Sequence, residues 1–414
     1  MARLARRWLL VAVAAFVMGA AGTYQFVWSS LSGAVATRFV GVSEPELGTV
    51  FTLFVVAQTL AQFPAGRIRD QYGPRSVLLV AAFCLFGGYA GVALAASFIS
   101  VAAAYTLGGV GAGIAYTVAV NTPVKWIPED GRRGLATGLV TMSYSGTSVL
   151  FIPFLRGSLT REFTLTLLAL GAFVGIGGLF GAVVLSDPER LGAADGEPST
   201  ASDGDTEPPV EEDAPAVGWR TAVSTWQFWV LYAVMIAVNG VGLMLIGQSV
   251  GFATGLGLST SVATTVASAI ALADGAGVLV VSGLSDRFGP ERTVGVSLAL
   301  CGAALAAGVV AGARGFSTLF VACIAAAAFF RSPVFGVFPT IVAKYYGAAR
   351  SSENYAALYS AKVPGGVVGG TVAGTLVVTL GWSTSFFLGA GLLVLAGVAA
   401  FALRPVSLSA RATE

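Results

Sequence analysis

The sequence predicts an all-α membrane protein of twelve transmembrane helices, arranged as two six-helix pseudo-symmetric halves, on three observations. Of its 414 residues, 56% are hydrophobic and only 11% are charged, roughly half the charged share of a soluble domain. The apolar residues come in blocks of about 20, the length that crosses a hydrocarbon core about 30 Å thick. A decapeptide between the second and third blocks recurs between the eighth and ninth, one copy in each half.

In chain order, hydropathy places spans over 8–30, 46–66, 75–96, 100–124, 135–156 and 164–186. Six more follow over 226–249, 260–283, 293–312, 316–343, 354–380 and 384–403. The first 22 residues, MARLARRWLLVAVAAFVMGAAG, order basic, apolar and small residues as a secretory signal does. Cleavage there would leave an odd number of spans and break the repeat, so the segment is read as a retained first span. The domain boundaries are therefore 1–186, 187–222 and 223–414. The middle segment holds ten of the chain's 21 acids and too few apolar residues to pack a core, the signature of a disordered linker.

The repeat pairs GRIRDQYGPR at 66–75 with GLSDRFGPER at 283–292. Asp70 and Asp286, Gly73 and Gly289, and Pro74 and Pro290 all share an offset of 216, as parallel repeats require. Seventeen of the 23 lysines and arginines gather at the ends nearest these loops. Arg38, Arg156, Arg161 and Arg314 fall at the other ends. The positive-inside rule then puts both termini in the cytoplasm of a multi-pass protein of the cell membrane. The 54 glycines suit helices packed closely in lipid.

Several function classes drop out. Histidine is absent, and no Gly-x-Ser-x-Gly, His-Glu-x-x-His or Walker-type loop occurs, so neither enzymatic chemistry nor nucleotide use is expected. Cys84, Cys301 and Cys323 lie inside apolar blocks without metal-ligand spacing; no metal or cofactor is expected. The basic residues form no run, which argues against nucleic acid. A monomer in the lipid bilayer is the expected form.

Three ionisable side chains fall inside spans: Asp274 in the eighth, Arg331 in the tenth and Lys362 in the eleventh. A charge at a span centre costs about 2.5–3.5 kcal/mol on insertion scales, so each should face protein or water. Counted from the basic ends, they lie roughly 14, 18 and 12 Å deep, near one level. Two cations against one acid leave an excess of positive charge that would attract an anion into a low-dielectric cavity. Arg331 offers a planar fork for a carboxylate, and Lys362 a second charge. Asp274 either neutralises one cation in a buried pair or carries a coupling proton. Tyr24, Gln25, Tyr116, Tyr144, Asn239 and Tyr359 are the polar candidates for the rest of the cavity. Ordinary interhelical hydrogen bonding is the alternative for each.

The repeated loops resemble the major facilitator signature Gly-x-Leu-x-Asp-Arg-x-Gly-Arg-Arg, with Gln71, Pro74 and Ser282 departing from it. The resemblance implies a major facilitator fold and a conformational latch at Asp70, Arg75, Asp286 and Arg287, the aspartates meeting helix ends. Plain loop punctuation is the other reading. GIAYTVAVNTPVKWIPEDGRRGLATGL at 113–139, TWQFWVLYAVMIAVNGVGLMLIGQ at 225–248, FGVFPTIVAKYYG at 335–347 and YAALYSAKVPGG at 355–366 are similar to the oxalate:formate antiporter family and, beyond it, the monocarboxylate porters. That likeness implies a secondary transporter of a small organic anion, by alternating access, through proton symport or exchange with a counter-anion. It places the family's lysine at Lys362 and an acid at Asp274, but Val278 stands where its arginine is expected, so Arg331 is read as the substitute. The competing functions are proton-coupled efflux of amphipathic cations or drugs bound at Asp274, and a non-transporting membrane sensor.

Overall fold

In lipid every backbone polar group needs an internal partner, and a helix supplies it within one segment. The computed structural model describes residues 2–126, 133–186, 217–332, 334–347 and 351–404, and the regular structure among them is helical. The N-terminal half contains α1 (Ala2–Arg38), α2 (Glu44–Tyr72), α3 (Pro74–Ala93), α4 (Phe98–Trp126), α5 (Arg133–Gly146), α6 (Ser148–Arg161) and α7 (Phe163–Val184). The C-terminal half contains α8 (Trp219–Ala222), α9 (Trp226–Gly255), α10 (Thr260–Phe288), α11 (Pro290–Ala313), α12 (Ser317–Arg331), α13 (Val334–Tyr346), α14 (Ser351–Tyr359), α15 (Lys362–Val367), a π-turn at Val368–Val372 and α16 (Ala373–Phe401).

Among the described residues, eleven stretches are long and apolar enough to cross a membrane. The last, Asn354–Phe401, has 48 residues, about 72 Å of helix and more than twice the hydrocarbon thickness. Gly381, at φ 79°, breaks it, dividing it into two crossings and bringing the total to twelve. The expected fifth span is built from α5 and α6, the tenth from α12 and α13, and the eleventh from α14, α15, the π-turn and the start of α16. Segment 187–216, most of the expected linker, lies outside the described residues.

The repeat is visible in the backbone. Gly73 and Gly289 both take φ 84°, and each is followed by a proline that opens the next helix. Only a residue without a Cβ holds that left-handed φ at little cost, and proline suits a helix's first position because the N–H it lacks has no partner there. At the opposite end α2 opens on a capping box, the Ser43 N–H donating to Glu46 Oε2 at 2.8 Å.

The halves pack along a seam between α2 and the α15–α16 segment at that opposite end. Thr49 and Thr371 hydroxyls lie 3.1 Å apart, and Thr52 Oγ1 donates to the Gly366 carbonyl at 3.1 Å. Within the N-terminal half, Tyr24 stacks on Tyr89 with ring centres 4.0 Å apart, beside Phe54, Tyr105 and Trp28.

Candidate functional site

Both buried cations sit at helix interruptions. Arg331 is the last residue of α12, followed by Ser332 and Pro333, and Lys362 is the first of α15, two residues before Pro364. Proline lacks the N–H that a helical ladder needs, although Ser332 keeps a helical φ of −66° and ψ of −28° and Pro364 lies within the first turn of α15. Both long side chains line a cavity between the halves. Only 5% of Arg331 and 6% of Lys362 is exposed.

Arg331 Nη2 pairs with Asp274 Oδ1 from α10, and Ser332 Oγ donates to the same oxygen at 2.5 Å. The guanidinium lies 5.4 Å from the Phe335 ring centre and fits against Gly242 of α9, where a Cβ would come within 2.5 Å of its Cδ. Lys362 is bound differently. Its Nζ lies 5.8 Å from the Tyr359 ring centre and donates to Gln58 Oε1 at 3.0 Å. The Gln58 amide nitrogen donates to the Tyr144 hydroxyl, which donates to Gln25 Oε1 at 3.0 Å. One hydrogen-bonded chain therefore runs from the C-terminal half through α2 and α5 to α1.

Gln25, Tyr116, Tyr144, Asn239, Asp274, Arg331, Tyr359 and Lys362 line one cavity of about 70 Å³. The two cations meet in it, and Val278 lines it as well, so Arg331 reaches the space from another helix. Tyr24 does not join them. It is fully buried, its hydroxyl donating to the Leu85 carbonyl, inside the aromatic cluster of the N-terminal half. Its large ring is filled by packing, which leaves none of it for the cavity. Asn239 turns its amide back to the Met235 carbonyl of its own helix at 2.9 Å. Of the expected latch, the side chains of Asp70 and Asp286 lie outside the described residues, and Arg75 and Arg287 are exposed.

Gln58 and Ser332 are the partners sequence reasoning missed. An amide buried in a span costs free energy unless bonded, and a serine beside a buried arginine is placed to share its acid. Those were the available signals.

The Major Facilitator Superfamily profile matches residues 8–252 and 233–414. The chain belongs to the major facilitator superfamily. It is similar to the oxalate:formate antiporter of Oxalobacter formigenes, 29% identical over 388 residues covering 94% of this chain and 89% of that one. The uncharacterized MFS-type transporter YhjX of Escherichia coli (strain K12) is 24% identical over 357 residues, 85% of this chain and 84% of that one. Among solved structures, a D-xylose-proton symporter superposes with a TM-score of 0.70 at 16% identity, covering 95% of this chain and 97% of that one. A bacterial homolog of the human lysosomal transporter Spinster gives 0.70 at 16% identity, over 96% and 95%. These structures share the fold.

Two further cavities flank the central one in this facilitator. Toward the basic loops, a cavity of about 370 Å³ shares Tyr116 and Tyr359 with it. At the opposite end, a cavity of about 170 Å³ lined by Trp28, Glu44, Gln248 and Trp382 shares no lining residue with it.

Proposed function

We propose that the protein is a secondary carrier of a small monocarboxylate, working by alternating access with its basic end in the cytoplasm and with Asp274 as the proton site. One observation carries the reading: two buried cations and a single acid line the same small cavity between the halves. About 70 Å³ accommodates on the order of five waters, at 10–15 Å³ of such volume for each. That suits an anion of one to three carbons. Drug-sized ligands occupy about 300–1,000 Å³, which weighs against export of amphipathic cations.

The pairing of Arg331 with Asp274 suggests how a proton enters the cycle. In the empty site Asp274 occupies the guanidinium that a substrate carboxylate needs. Protonation of Asp274 frees that fork, so proton and anion load together and the site's charge is unchanged. Exchange is a second reading, drawn from the oxalate:formate antiporter relative. Lys362, which forms no ion pair among the described residues, supports either.

The test is uptake of labelled formate, acetate, lactate, pyruvate and oxalate into vesicles holding the purified protein, under an imposed proton gradient or with internal counter-anion. Asp274→Asn is expected to abolish gradient-driven accumulation while retaining counter-anion exchange. Unchanged accumulation removes Asp274 from coupling. Failure of every anion to move overturns the function.

A further inference from the structure

The seam between the halves ends on the binding site. From the end opposite the basic loops inward, a Cβ on Gly374 would come within 2.7 Å of the Glu44 carbonyl. The Thr49 and Thr371 hydroxyls then meet at 3.1 Å. Thr52 Oγ1 accepts from the Thr371 N–H at 3.0 Å and donates to the Gly366 carbonyl at 3.1 Å. The next link inward is Gln58 Oε1 with Lys362 Nζ, at 3.0 Å.

Gln58 is fully buried and does not line the cavity; it stands behind Lys362. An ammonium has only donors, so it fixes the amide with its oxygen toward Lys362 and its nitrogen toward Tyr144. The same cation therefore serves two structures at once, the anion cavity on one side and the seam on the other.

We infer that the Lys362–Gln58 bond is the innermost link of the gate at this end, and that Gln58 is a positioning residue through which occupancy of Lys362 sets the gate. The coupling to occupancy rests on Lys362 being the anion-binding cation proposed above. A carboxylate in the cavity draws the ammonium away from α2. Gln58 Oε1 is then a buried acceptor without its donor, which costs free energy until α2 swings away and water reaches it. A loaded carrier loosens the seam, and an empty one holds it shut.

The test reads the gate without needing the substrate. Thr49→Cys and Thr371→Cys are introduced into a chain whose Cys84, Cys301 and Cys323 are replaced by alanine, and oxidant-catalysed disulfide formation is timed in vesicles. Gln58→Leu and Lys362→Met are each expected to slow cross-linking several-fold. Gln58→Glu, of nearly the same shape, is expected to speed it at pH 8 through an ion pair with Lys362. Acidification should return that variant to the parent's rate once the new carboxyl is protonated. Saturating formate or oxalate should slow the parent. Parental rates in Gln58→Leu, or a pH-independent Gln58→Glu, overturn the gate link. If the Gln58 variants behave as expected and neither anion alters the parent's rate, the link stands and the anion role of Lys362 fails on its own.

Discussion

Removing one partner of a buried ion pair strands the other, at a cost of about 3–5 kcal/mol, whereas removing both is often close to neutral. Arg331→Met is therefore expected to lower the thermal stability of the detergent-purified protein sharply, and Asp274→Asn in the same chain to restore most of it, as followed by thermal unfolding. Lack of rescue would mean that Asp274 is not what Arg331 neutralises. At this scale the charges, and a buried pair with Asp274, are legible in the sequence, and their uncharged partners are not. Asp274, Arg331 and Lys362 stand out because an ionised group among apolar neighbours needs a reason to be there. Gln58 and Ser332 carry no such mark, since their importance lies in which side chain they face across 304 and 58 residues of chain. Tyr24 illustrates the converse. Its polar tip suggested the cavity, yet a stacked ring and a backbone carbonyl partner account for it completely.

Helices record their apolar length in the sequence far better than their interruptions. Hydropathy predicts the first span over 8–30 and the helix runs Ala2–Arg38, because hydropathy marks only the part in hydrocarbon while backbone hydrogen bonding continues past it. The span read as 354–380 is instead two helices, a π-turn and the start of a third. Packing against α2 and α9 accompanies those breaks, and Pro364 with Gly365, Gly366, Gly369 and Gly370 is their local sign. The joints between α2 and α3 and between α10 and α11 were easier to see, as Gly-Pro pairs at one offset. Because both glycines hold φ 84°, alanine at either is expected to cost about 1–2 kcal/mol. Gly73→Ala and Gly289→Ala should lower thermal stability by similar amounts, and a cost confined to one half would show that the two joints are not equivalent.

For the whole molecule, the twelve crossings and the paired halves follow from composition and repeat, and the family match agrees with them. What no linear pattern contained was the meeting of the halves: which face of α2 lies on α15, and that Lys362 belongs to both seam and cavity. A carrier whose empty form is held shut at one end should exchange anion for anion faster than it moves anion one way. In vesicles, internal unlabelled formate is expected to accelerate entry of labelled formate several-fold over empty vesicles, and equal rates would remove the penalty on the empty return.

The two ends of the central chamber are built differently. Toward the basic loops Tyr116 and Tyr359, one from each half, belong to the walls of both the chamber and the next hollow. In the other direction the helices themselves must separate, link by link, from Lys362 to Glu44. For the carrier proposed above, opening at that end is a rigid-body movement of helices, expected to be slower than any side-chain rotation.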